Sequence, residues 1–174
     1  MLELTKKADY ALRLMVEIAA SAESTLTTSE VASREEIPYQ FLRKVAQDLV
    51  AAGLLNSSRG NHGGLSLAHP AQTISLLEIV RAVDEPAVSR CVIDPAACTR
   101  RYRCVIYPVW RRLQREMERG MEAVLLSDLA ERHRAILPAA ADTGSTTRGR
   151  MALKRDSTGL ISRTWNGTYS RSDS

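Results

Sequence analysis

Three cysteines, Cys91, Cys98 and Cys104, fall within fourteen positions of a 174-residue chain that holds no other. An odd, crowded set of this kind is unlike the disulfide framework of a small secreted protein, and reduced thiols with a shared task fit it better. The spacing is C-x6-C-x5-C. It lacks the pairs of ligands two to four residues apart that zinc fingers and ribbons use. A segment wide enough to wrap a larger object suits it, and thiolates are the usual ligands of iron-sulfur clusters. Arg100, Arg101 and Arg103 favour thiolate over thiol and offset the negative charge of such a centre. A redox-active thiol pair, or three inert buried thiols, are the alternatives. The segment contains no fourth ligand of the histidine type, since His62, His69 and His133 all lie elsewhere.

The elements that must position these thiols can be read from periodicity and caps. Ala8, Ala11, Leu12, Met15, Ile18 and Ala19 recur at helical spacing behind Thr5, a cap residue. Thr27 and Glu30 fit a capping box that opens a short helix ending before Ile37-Pro38. Pro38 suits the first position of a further helix, whose buried stripe is Leu42, Val45, Ala46, Leu49 and Val50 and whose stop is Gly53. Two short segments, 54–58 and 65–68, flank a glycine-rich tip and read as a hairpin. Ser75 and Glu78 form a second capping box. From Ala87 to Cys104 periodicity vanishes, which predicts an irregular loop. Beyond Pro108 a long helix runs to about Leu126, with Ile106, Trp110, Leu113, Met117, Gly120 and Val124 alternating in steps of four and three. Such a seam belongs to a coiled coil. Ser127 caps a short last helix through His133, and from 138 onward small and polar residues predict a disordered basic tail.

The expected fold is therefore mainly α with one small β-hairpin: a winged helix-turn-helix domain over 1–86, a cysteine loop over 87–104, a dimerisation helix and short last helix over 105–137, and the tail over 138–174. Helix, tight turn, second helix with a polar stripe and glycine-tipped hairpin is the order of a DNA reader of the winged type. The second helix would enter the major groove, where Gln pairs with adenine and Arg with guanine. Thr28, Tyr39, Gln40, Arg43, Lys44 and Gln47 are the candidates. At the wing tip Arg59 reaches toward the minor groove or phosphate, with Gly60, Gly63 and Gly64 allowing close backbone approach. The net charge of +4 adds nothing to this argument, because residues 141–174 hold six Arg or Lys against three Asp or Glu and the rest is nearly neutral. No nucleophile, base pair or phosphate loop suggests an enzyme. Charges at the amino terminus, and the lack of any apolar stretch of roughly 18 residues, predict a soluble, cytoplasmic protein that does not enter membranes.

Several strings resemble the Rrf-type bacterial regulators, a group with IscR-, NsrR- and RirA-like members. They are Leu4-Thr5-Lys6 with Ala8-Asp9-Tyr10-Ala11-Leu12-Arg13, Ala52-Gly53-Leu54, Ser58-Arg59-Gly60 with Gly63-Gly64-Leu65, Ala82-Val83-Asp84, and the three cysteines. The likeness spans roughly residues 2–134. It implies a homodimer built on the long helix, a palindromic double-stranded DNA operator, and a cluster sensing nitric oxide, iron or redox status. In IscR-like proteins a histidine three residues after the third cysteine completes the ligand set, and here that position is Tyr107. In NsrR-like proteins an aspartate near the amino terminus, given by the other subunit, takes that role, and Asp9 occupies the matching place. The alternative for Asp9 is a first-turn carboxylate stabilising its helix dipole. Two-iron and four-iron forms are both compatible with the spacing. A cluster-free regulator sensing thiol oxidation or a small ligand is the competing reading, with an iron-sulfur electron carrier behind it.

Overall fold

The computed structural model of the chain describes residues 4–23, 25–58, 64–94, 96, 98–142, 153–155 and 161–163. Residues 1–136 form one compact unit and 137–174 another. The first unit is built from α1 (Lys6–Ala20), α2 (Thr28–Arg34), α3 (Tyr39–Ala51), the β1–β2 hairpin (Leu55–Ser57 with Leu65–Leu67), α4 (Leu76–Val83), α5 (Arg90–Ile93) and α6 (Tyr107–Glu122). It closes on the start of α7 (Leu126–Asp142).

Local chemistry sets the starts of these helices. The Thr5 hydroxyl accepts from the Ala8 amide, and both expected capping boxes form at Thr27/Glu30 and Ser75/Glu78. Pro38 stands one place earlier than expected, as the cap of α3 rather than its first residue. Gly53 ends α3 at φ +75°, the left-handed conformation that glycine adopts without strain. The helices bury one stripe each into a common core, with Leu14 and Met15 of α1, Leu42 and Leu49 of α3, Ile79 and Val80 of α4, and Leu126 of α7 all at 0–1 % exposure. Burial of an aliphatic side chain of this size contributes about 1.5–3 kcal/mol.

The two capping carboxylates give the fold an acid-side dependence. Hydrogen bonds from the Ser75 backbone, then from its hydroxyl, hold Glu78 below the ordinary 4.5, and Thr27 does the same for Glu30. A lowered folded-state value means stability that is complete above the ordinary carboxylate range and is lost as pH falls through the lowered value. The melting temperature should fall as pH drops below 4.5, and Glu78→Gln should melt lower at neutral pH and respond less to acid. An unchanged acid response in that variant, followed by circular dichroism, would contradict the cap.

Gly64 is needed for a reason other than the wing's turn. The main chain at Leu26 bridges Leu65, giving the hairpin a third short edge, and both Leu26–Leu65 amide–carbonyl bonds form at 3.0 and 2.8 Å. A Cβ on Gly64 would stand 2.9 Å from the Leu26 carbonyl oxygen. Overpacking against backbone costs about 1–3 kcal/mol. Gly64→Ala should therefore lower the melting temperature, whereas an unchanged melt would show that the strands part easily.

Five further expectations need correction. The long helix stops at Glu122 rather than near Leu126, because residues 124–126 pair with residues 74–76 at the start of α4: the Leu76 amide donates to the Val124 carbonyl and the Leu126 amide to that of Ile74, each at 2.9 Å. Ser127 lies inside the first turn of α7, not at its cap. The last helix runs to Asp142 instead of ending near His133, carried on by the alanines after Pro138, the strongest helix formers. In the second unit β3 (Leu153–Arg155) pairs antiparallel with β4 (Ile161–Arg163), so the described parts of 138–174 carry regular structure where a disordered tail is expected. The expected loop 87–104 also holds helical turns, α5 and a 3-10 turn at Arg101–Arg103. Among the described residues no helix is long and apolar enough to cross a membrane.

Candidate DNA-reading face and cysteine segment

The expected reading residues divide into two groups around α3. Thr28, Tyr39, Arg43 and Gln47 line one shallow hollow of about 420 Å³ together with Ser57 and Leu65 of the hairpin. This is the juxtaposition a winged domain needs: the second helix of the motif, the start of the first and the root of the wing share one face. Lys44 turns to the opposite side, where it meets Lys6, Lys7, Tyr10 and Phe41 around a second hollow. Gln40 is exposed on the first turn of α3 and joins neither group. Phe41, 62 % exposed, is an apolar member of this face that periodicity gave no reason to single out. Arg59, Gly60 and Gly63 lie outside the described residues, and Gly64 has the packing role given above. Lys7 fixes the placement of α3 through its 2.7 Å ion pair with Asp48.

The turn ahead of α3 is held by an unusual backbone. Glu36 adopts φ +53°, in the left-handed region, between the end of α2 and Ile37. Ile37 is buried and anchors the turn by donating its amide to the Ala32 carbonyl at 3.0 Å.

The three cysteines are free, and each is half-buried. Cys91 rides on α5 beside the Ser89 hydroxyl at 3.3 Å, Cys98 precedes a turn, and Cys104 follows the 3-10 turn. Cys104 borders two open hollows, one walled by Arg101, Tyr102, Tyr107 and Arg111, the other by Arg100 and Arg103. The sulfurs are not gathered like the ligands of one ion, since among the described residues the only group of three metal-binding side chains within 4.8 Å lies elsewhere. Three free, half-buried thiols placed in this way do not make the compact set that a single tetrahedral zinc requires. Tyr107 is committed to a stacking role, its ring 5.6 Å from the Arg101 guanidinium, which also donates to the Tyr102 hydroxyl.

Gln114 couples this segment to α6, and sequence patterning missed it. At 4 % exposure it accepts the Val88 amide (3.0 Å) and donates to the Pro86 carbonyl (2.8 Å) and to Glu118 (2.9 Å), which in turn pairs with Arg81 of α4. A lone glutamine beside an apolar seam has no periodic signature. The apolar face of α6 is largely uncovered, with Ile106 and Val109 half-exposed and Leu113 exposed, while Trp110 and Met117 are partly buried. Asp9 sits in the first turn of α1, paired with Arg13 at 3.1 Å. The strings at the two ends of the winged domain meet, because the Thr5 hydroxyl donates to Asp84 at 2.7 Å.

A helix-turn-helix with its polar reading face, a hairpin at its side and a cysteine-bearing segment fastened to a long helix define a winged-helix DNA-binding regulator of transcription. Residues 4–132 match the model of one such family, described as Rrf2, iron-dependent transcriptional regulator, and the chain belongs to it. It is 34 % identical over 133 residues to an HTH-type transcriptional regulator of Mycobacterium tuberculosis, covering 74 % of this chain and 81 % of that one. It is 27 % identical to the transcriptional regulator IscR of Vibrio atlanticus over 98 % of this chain and 100 % of that one. The structure of CymR, the global cysteine regulator of B. subtilis, superposes with a TM-score of 0.61 at 26 % identity, covering 75 % and 98 % of the two chains.

Proposed function

We propose that this regulator works as a homodimer on a palindromic operator and that Cys91, Cys98 and Cys104, joined by Asp9 of the partner subunit, hold an iron-sulfur cluster as its sensor. The observation that carries the reading is the cysteine segment itself: three free, half-buried thiols, with arginines around Cys104, tied through Gln114 to a helix whose apolar residues are exposed. When bound, such a cluster supplies bonds that respond to oxidants, nitric oxide or iron supply. The chain's own part is mechanical. The thiolates order residues 88–104, Gln114 passes that order to α6, and α6 sets the separation of two α3 helices that must meet half-sites about one helical turn apart.

Anaerobic isolation followed by iron and sulfide counts tests the sensor, with Asp9→Ala beside wild type. Retention of the full count in Asp9→Ala would remove the cross-subunit ligand. The likeness to CymR supports a second reading, a cluster-free regulator responding to thiol oxidation or a small ligand. It predicts colourless protein even after reconstitution.

For the reading face, Arg43→Ala should weaken binding to genomic DNA selected by the wild type by about 1–3 kcal/mol and relax base preference at one position. Lys44→Ala should weaken all sequences alike and lower the salt slope of binding by about one. Equal effects of the two substitutions on sequence preference would overturn this division.

A further inference from the structure

A second constellation of ligand-type side chains includes none of the cysteines and none of the residues lining the reading hollow. Glu17 of α1, Glu35 at the end of α2 and His133 of α7 bring donor atoms to within 4.8 Å of one another. The Glu17 side chain is 8 % exposed, and its Oε1 lies 2.6 Å from His133 Nε2. That ring nitrogen is shut off from solvent and makes no directed hydrogen bond, although the carboxylate is so close. Nitrogen and oxygen at this distance repel unless a proton or a cation stands between them. Nearby positive charge is loosely placed: Arg34 is 3.5 Å from Glu17 and Arg13 is 3.7 Å from Glu35, both half in solvent. Charge-assisted pairs that satisfy a carboxylate close to about 2.7–2.9 Å.

We propose that Glu17, Glu35 and His133 form a three-ligand site for a divalent transition-metal ion of the zinc or manganese class. The donor set, two carboxylates and one imidazole without sulfur, suits such ions and excludes thiophilic copper(I). Bonds of about 2.0–2.2 Å require the three donors to close in by a small side-chain movement. A route in exists, because Glu35 and His133 also line an open hollow of about 290 Å³ walled by Leu12, Val16, Leu76 and Leu129.

The placement gives the ion a consequence. It would clamp α1 and α7 to the turn that ends α2, one residue before the left-handed Glu36 and four before α3 begins. Metal occupancy would thus stiffen the entry to the reading helix, separately from anything bound at the cysteines.

Full-length protein titrated with Mn2+ alone tests this, since manganese prefers oxygen and nitrogen to thiolate. Wild type should take up one Mn2+ per chain, displaceable by Zn2+, with nitrogen coupling from one imidazole in pulsed electron paramagnetic resonance. Glu35→Gln and His133→Gln, both at positions partly open to solvent, should bind at least tenfold more weakly, and His133→Gln should abolish the nitrogen coupling. Cys98→Ser should bind as wild type does, which separates this site from the sensor. Binding should also raise the melting temperature of wild type and not that of Glu35→Gln. No uptake of Mn2+ or Zn2+, uptake unchanged in both variants, bound Mn2+ without nitrogen coupling, or loss of uptake in Cys98→Ser would each overturn the proposal.

Discussion

Cys98→Ser protein, isolated without oxygen, should return iron and sulfide at the level of the blank and lose the visible absorption of the wild type. Its fold should not suffer, because Cys98 is half-buried in a segment apart from the apolar core formed by α1, α3, α4 and Leu126. Melting and circular dichroism should match the wild type with its metal removed. Serine keeps the shape of the side chain but is a far poorer ligand for an iron-sulfur centre, whose usual ligands are cysteine thiolates. In the proposed ligand set, two thiolates and one carboxylate would then remain for a centre that needs four ligands. The effect on DNA should follow, since typical coupling of about 1–3 kcal/mol between two sites changes affinity about 5- to 150-fold. Iron retained in the variant would remove Cys98 from the ligand set, and unchanged operator affinity despite lost iron would uncouple the segment from the reading face.

How far such features can be read in a sequence depends on how local they are. The caps at Thr5, Thr27 and Ser75 were legible because each rests on a hydroxyl and an amide three residues apart. Gly53 was legible for the same reason. Thr28, Tyr39, Arg43 and Gln47 were legible as candidates from their side-chain chemistry, but their common face needed the fold to bring the start of one helix against the stripe of another. What periodicity could not supply are pairings between distant segments. The Leu26–Leu65 and Ser75–Leu125 bridges join stretches that each read as ordinary apolar sequence. Gly64 illustrates the ambiguity: a glycine near a hairpin tip suggests a turn, yet here the missing side chain makes room for a neighbouring carbonyl. Gln114 and the Glu17, Glu35 and His133 trio escaped for the same reason, since their meaning lies in partners far along the chain.

The second large effect is expected at α6. If the proposed homodimer is built on this helix, Leu113→Glu should sediment as a monomer where the wild type sediments as a dimer, and should reduce operator binding by about 10²- to 10⁴-fold, the span over which joining two modules raises avidity. Val105 is 88 %, Ile106 and Val109 are 50 % and Leu113 is 39 % exposed, so an apolar strip runs from the approach to α6 along its first turns. A contiguous apolar strip of this kind on a regulator marks an interaction surface. Its other side is already used, because Gln114 faces the segment 86–88 and Glu118 pairs with Arg81, so α6 is fixed to its own winged domain while offering the strip outward. A charge on Leu113 would be desolvated in a dimer and left in water in a monomer, which places its cost on association rather than on folding. The helix should therefore stay formed, and the melt at low protein concentration should change little. Two monomers would each retain one reading face, so weak binding to single half-sites should survive. If Leu113→Glu remained dimeric and bound the operator as before, the surface that sets half-site spacing would have to lie elsewhere, and the coupling between the cysteine segment and DNA could not pass through this helix.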